Sequence, residues 1–186
     1  GDVHKHSDIE VVVLDHCLLS MVDIALSRSH SIEEVEIVQA TPKSAMKVVF
    51  RLGELIEVVV PVVPLTRQEL DFYKFGGIIG LPDAKQFKKR VPGVDKRLCL
   101  IIPKDWGHIE YSIIGRESEA IKLLSVCPEI VEERKMMLIR RDRLGRTGVY
   151  ISIKLAPGES IQKKIRELKD KYPPIKRLFK ERGVAF

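Results

Sequence analysis

The sequence predicts an α+β fold with a mostly antiparallel sheet, and three observations carry that reading. Residues 45–63 and 134–155 each read as a hairpin, two extended stretches that double back through a glycine-bearing turn. Strand-like segments outnumber helix-like ones and stand next to one another instead of alternating as β-α-β units. The chain closes on an amphipathic basic stretch. Helices are therefore expected to pack on a sheet built from the two hairpins, with a basic C-terminal helix last.

Residues 9–14 form a short apolar run rich in valine, the composition of a buried strand. A helix follows over 15–29, because Leu14, Leu18, Val22 and Ala25 recur at helical spacing and Met21 and Leu26 widen the stripe. Strands are expected at 33–39, 45–52 and 55–63. In the second, Met46, Val48, Phe50 and Leu52 alternate with Lys47, Val49 and Arg51, and Gly53 suits the turn to the third. Pro61 and Pro64 end the sheet run, and Thr66 is placed to cap a helix over 67–75. Gly76-Gly-Ile-Ile-Gly80 breaks that helix. A short basic helix is expected over 82–91, strands over 97–102 and 107–114, and a helix over 118–126 that stops at Cys127-Pro128. Residues 134–141 and 148–155 make the second hairpin. Pro157-Gly158 turns the chain into its tail, where Ser160 caps a helix with an Ile161, Ile165, Leu168 and Tyr172 stripe. Pro173-Pro174 breaks it, and Ile175, Leu178 and Phe179 anchor a last turn or two before Gly183.

The 186 residues suit a single domain, with residues 1–159 as the body and 160–186 as a docked tail. The tail holds nine of the 32 lysines and arginines but only three of the 26 acids, so the body balances and the tail carries the whole net charge of +6. A neutral body with a basic tail presents a surface to an anion. The three cysteines, Cys17, Cys99 and Cys127, are scattered and read as small buried side chains in a reducing cytoplasm. No apolar run is long enough for a membrane span, and no membrane partner is expected. The chain has no asparagine and four glutamines among many charged residues, the pattern of a thermophile.

Two clusters point to phosphate. Arg140, Arg141, Arg143 and Arg146 are expected at the tip of the second hairpin, where planar guanidinium forks and flexible backbone suit an oxyanion. In the tail Lys163, Lys164, Lys176 and Arg177 stand out within a basic face that also holds Arg166, Lys169, Lys171, Lys180 and Arg182. Lys164 is read as solvated, so reversing its charge should leave stability nearly unchanged, whereas Ile165→Asp should lower it. A third cluster, on the strand over 107–114, puts His108 and Glu110 on one face beside Trp106, an arrangement that could serve acid–base chemistry. The bland reading of this third cluster is the wet face of a sheet. Gly76-Gly-Ile-Ile-Gly80 is a weak candidate for a phosphate cradle. His4 and His6 read as a frayed terminus, and Asp15, His16 and Cys17 as residues set by helix phasing. No metal site and no cofactor are expected.

These readings favour an accessory protein that grips the RNA or DNA backbone. Aromatics make up 6% of the chain and form no stacking string, which points to backbone or duplex contact. A small enzyme is the alternative. The element order resembles that of the GNAT family of N-acetyltransferases, whose pyrophosphate loop, Arg/Gln-x-x-Gly-x-Gly/Ala, follows the fourth strand. Here Pro64-Leu-Thr-Arg-Gln-Glu69 stands at that place, and Gly76-Gly-Ile-Ile-Gly80 comes later and without the Arg/Gln lead. The resemblance is therefore one of element order and stops short of the coenzyme A site. A third reading is a scaffold whose tail docks an acidic protein partner.

Overall fold

The computed structural model describes residues 8–86, 89–145 and 148–185. The fold is mixed α and β, in two compact units. One unit takes Lys5–Leu65 together with Gly148–Phe186. The other, Thr66–Thr147, is inserted between them in the sequence. The tail beyond residue 160 belongs to the first unit.

The first unit is built on a five-stranded sheet. Its strands are β1 (Ile9–Val12), β2 (Glu34–Gln39), β3 (Lys47–Arg51), β4 (Ile56–Pro61) and β8 (Ile151–Lys154), in the spatial order β1-β4-β3-β2-β8. β3 and β4 form the antiparallel hairpin that their alternation predicts, with Val49 opposite Val59. β1 runs parallel to β4, so the sheet is mixed. The alternation sends Val35, Ile37, Val48, Phe50, Val58, Val60, Ile151 and Ile153 to one face. Three helices bury that face: α1 (Leu19–Ser29), α6 (Ile161–Lys171) and α7 (Pro173–Glu181). They contribute Leu19 from α1, Ile161, Ile165 and Leu168 from α6, and Ile175, Leu178 and Phe179 from α7. Ser160 accepts the Lys163 N–H at 3.3 Å and starts α6 as expected. Pro173, which the sequence suggests as a breaker, is the first residue of α7, where a missing N–H costs nothing.

The opposite face of this sheet carries a charged network beside the buried Val49 and Val59. Arg51 donates from all three guanidinium nitrogens: to Glu34, to Glu36 Oε2 at 3.0 Å and to Glu57 Oε1 at 2.9 Å. Lys154 closes on Glu34 Oε2 at 2.5 Å, and Ser152 Oγ donates to Glu36 Oε1 at 2.5 Å. Glu36 is buried, so this network is what makes a carboxylate tolerable there.

The inserted unit has its own three-stranded antiparallel sheet of β5 (Gly93–Val94), β6 (Cys99–Lys104) and β7 (Gly107–Ser112). Around it stand α2 (Arg67–Gly76), α3 (Leu81–Ala84), α4 (Glu117–Leu124) and α5 (Pro128–Leu144). Its core gathers Phe75, Leu98, Leu100, Ile113, Leu124, Ile130, Val131 and Leu138. Two expectations are overturned here. There are two sheets, not one. The second hairpin does not exist, since residues 134–141 lie inside α5 and β8 pairs instead with β2. Local signals explain the helix: Pro128 at its first position, Glu129 in the first turn, Arg141 and Arg143 in the last, and Gly145 at φ 79° ending it.

The glycines at 76–77 also have a structural task. A Cβ on Gly93 would lie 2.4 Å from Gly76 O, and one on Gly77 would lie 3.0 Å from Pro92 O. The end of α2 and strand β5 thus touch backbone to backbone. Gly93→Ala should destabilise the inserted unit by roughly 1–3 kcal/mol, because both sides of the clash are main chain. A denaturant midpoint that matches the unsubstituted protein would contradict this close approach.

Candidate nucleic-acid interface

The amphipathic design of α6 and α7 decides which tail cations face solvent. Residues 161, 165 and 168 on α6 and 175, 178 and 179 on α7 point inward. Lys163 and Arg166 on α6, and Lys176, Arg177 and Lys180 on α7, are exposed. Among the described residues none of these five has a carboxylate within ion-pairing distance. Several cations elsewhere are committed instead: Arg51 to three glutamates, Arg97 to Asp95 and Glu110, and Lys135 to Glu117 and Glu132.

Lys164 is committed too. Its Nζ lies 2.6 Å from Glu159 Oε1 and 3.3 Å from Glu167 Oε2, and these bonds raise its pKa, the one to Glu159 most. It braces the start of α6 and is not part of the solvated face that the sequence suggests. Lys164→Glu should therefore lower the melting temperature by placing three carboxylates together. The loss should shrink as salt rises. Melts that are indistinguishable at low salt would contradict the brace. Lys171 sits over the Tyr172 ring at 5.4 Å, and Arg182 donates to Pro64 O at 2.5 Å.

Arg140, Arg141 and Arg143 do not form a loop at a hairpin tip. They lie in the last turns of α5, with Arg140 and Arg143 exposed and Arg141 half-buried. Cations there complement the negative end of the helix dipole, which accounts for them without a ligand. Arg146 lies outside the described residues, as do His4 and His6.

His108 and Glu110 share a face of β7 as their spacing predicts. His108 Nε2 and Glu110 Oε2 are 3.8 Å apart, longer than a hydrogen bond. Glu110 Oε2 lies 3.3 Å from Arg97 Nη2, and Arg97 Nε reaches Asp95 Oδ2 at 2.6 Å. Asp95 in turn accepts the N–H groups of Arg97 and Cys99 at 2.8 and 3.0 Å. Burial alone would raise the Asp95 carboxyl, but these donors hold it below its usual range. This chain of pairs pins the turn before β6 on a wet face. Trp106 is 75% exposed on the β6–β7 turn and does not wall a pocket around the pair.

The sequence reading misses Asp71. It is 1% exposed and accepts the Cys127 N–H at 2.9 Å and Lys74 Nζ at 2.9 Å. Burial alone pushes its carboxyl up, but the hydrogen bonds from Lys74 and Cys127 outweigh burial and hold it low. Cys127 is the residue before α5, and by accepting its N–H Asp71 ties the start of α5 to α2. The only local hint is an acid four residues before the core residue Phe75. Beside this joint Arg67, Gln68, Val126, Cys127, Pro128 and Glu129 line an open depression of about 470 Å³. Burial pushes the Cys127 thiol up, so it stays protonated there.

The cysteine expectation also changes: Cys17 is exposed, and Cys99 and Cys127 are half-buried. Among the described residues no helix is long and apolar enough to cross a membrane. No known protein family, curated protein or solved structure matches this chain.

Proposed function

We propose that the chain binds the phosphate backbone of RNA or DNA through the outward face of α6 and α7. The observation that carries this is the set of exposed cations Lys163, Arg166, Lys176, Arg177 and Lys180 on two consecutive helices, where the apolar residues of both helices turn inward and, among the described residues, no carboxylate comes within ion-pairing distance of the five. An unpaired cation has no intramolecular bond to give up when it meets a phosphate, and it releases counterions from the polyanion. The net charge of +6 held in the last 27 residues adds a long-range pull toward a polyanion. The exposed face offers no aromatic for base stacking, which favours contact without base preference. Arg140 and Arg143 lie in the other unit and are not needed for this reading.

Fluorescence anisotropy with a labelled duplex and a labelled single strand, repeated over a salt series, tests the proposal. The logarithm of affinity should fall with the logarithm of salt at roughly −0.9 per duplex phosphate neutralised. Replacing Lys163, Arg166, Lys176 and Arg177 with glutamate should weaken binding to all sequences alike. It should also flatten the slope by about one for each phosphate that is no longer neutralised. Absence of binding at low salt with about 100 μM protein overturns the reading, because a basic face of this kind should show non-specific affinity there.

A further inference from the structure

The segment that joins β1 to α1 carries three donor groups in consecutive positions, Asp15, His16 and Cys17. Asp15 is extended, at φ −96° and ψ 111°, and a 3-10 turn over His16–Leu18 follows at once. That change of backbone brings the three side chains together, where a continuous helix would splay them around its axis. Cys17 Sγ lies 3.9 Å from His16 Nδ1 and 3.3 Å from Nε2, and Asp15 Oδ1 lies 3.8 Å from Nδ1. One donor atom from each residue falls within 4.8 Å of the other two. A tetrahedral centre with metal–donor bonds of about 2.0–2.3 Å places its donors about 3.3–3.8 Å apart. The separations from Nδ1 to the sulfur and to the carboxylate are close to that edge.

We propose that Asp15, His16 and Cys17 form a binding site for a divalent transition metal of the zinc type, with a fourth position left for water or an outside donor. The donor set is one oxygen, one nitrogen and one sulfur. Thiolate and imidazole favour zinc-like ions over magnesium or calcium, which prefer oxygen alone. Capping accounts for Asp15, whose Oδ1 accepts the Cys17 N–H at 2.9 Å, whereas the polar side-chain contacts of His16 and Cys17 among the described residues run to one another and to Asp15, within the cluster itself. A cysteine used for packing is normally buried, and Cys17 is exposed. The positive end of α1 opposes a cation here, and the two anionic donors offset it. Cys17 binds as the thiolate: a metal–sulfur bond forms and the thiol proton leaves to solvent.

Cobalt(II), a spectroscopic stand-in for zinc, tests the site on the full reduced chain. Titration should give intense visible bands of a tetrahedral centre and a near-ultraviolet thiolate-to-cobalt band, both saturating at one equivalent and both displaced by zinc. Cys17→Ser should lose the thiolate band, while Cys99→Ser and Cys127→Ser keep it. His16→Ala should weaken cobalt binding. A chain without a thiolate band, or a band that survives in Cys17→Ser, overturns the proposal. A second measurement needs no substitution. Zinc should slow the alkylation of Cys17 by iodoacetamide, followed by peptide mass, and equal labelling with and without zinc overturns the site.

Discussion

Ile165→Asp should unfold most of the first unit at room temperature. Ile165 is 0% exposed and lies on the α6 face that meets the sheet, within the cluster of Ile37, Val48, Phe50, Val58 and Val60. The change removes an apolar side chain whose burial is worth roughly 1.5–3 kcal/mol. It also puts a carboxylate where no cation or donor waits, which adds a penalty of several kcal/mol or forces the group to stay protonated. The sum is of the order of the whole stability of a typical domain, roughly 5–15 kcal/mol. Lys163→Glu, two residues away on the exposed face of the same helix, should change stability by no more than about 0.5 kcal/mol. Urea unfolding followed by circular dichroism compares the two, and similar midpoints would show that α6 does not bury Ile165.

Asp71→Ala should be the most damaging single change in the inserted unit outside its apolar core. It leaves the Cys127 N–H without an acceptor at the start of a 17-residue helix and removes a charge-assisted bond from Lys74. Together these are worth roughly 2–4 kcal/mol, most of it from the Cys127 bond because Lys74 is itself 46% exposed. Asp71→Asn keeps an acceptor of the same shape and should fall between the two. The folded carboxyl titrates below its ordinary value, so its contribution is complete above the unfolded value of about 3.9 and is lost as pH falls through the lower folded one. The gap between Asp71 and Asp71→Ala in urea midpoint should thus be constant near neutrality and narrow below about pH 4. A gap that holds unchanged into strong acid would remove Asp71 from the joint.

What is legible in the sequence follows from how clean each pattern is. The β3–β4 hairpin and α6 can be read because each has one buried face, marked by period two in Met46, Val48 and Phe50 and by helical spacing in Ile161, Ile165 and Leu168. α5 is misread for a physical reason. Its inward line runs Ile130, Arg134, Leu138, and the middle place is held by a cation. The guanidinium of Arg134 lies 4.7 Å from the centre of the Phe72 ring, so the arginine does the work of an apolar residue, and burial depresses its pKa. With the stripe broken there, Met136-Met-Leu-Ile139 looks like a short strand. The division into two units leaves no local trace, because β8 finds β2 across the whole insertion. Of the candidate residues, the exposed tail cations can be anticipated from helix phase. The pairing of Lys164 and the convergence of Asp15, His16 and Cys17 depend on distances that spacing alone does not supply.

The insertion also sets an order of events during synthesis. β1 to β4 leave the ribosome before the insertion, yet the helices α6 and α7 that cover Val48, Phe50, Val58 and Val60 are translated after all of Thr66–Thr147. β2 likewise waits for β8 to close its outer edge. For the time it takes to make about eighty residues, at 5–20 or so per second, a nascent chain holds an apolar sheet face and an open strand edge. The inserted unit meanwhile has every one of its own strands in hand and can finish first. A transcript cut short before α6 would therefore release a protein with one complete unit and one sheet that lacks the cover of α6 and α7, the kind of product that chaperones and proteases must remove.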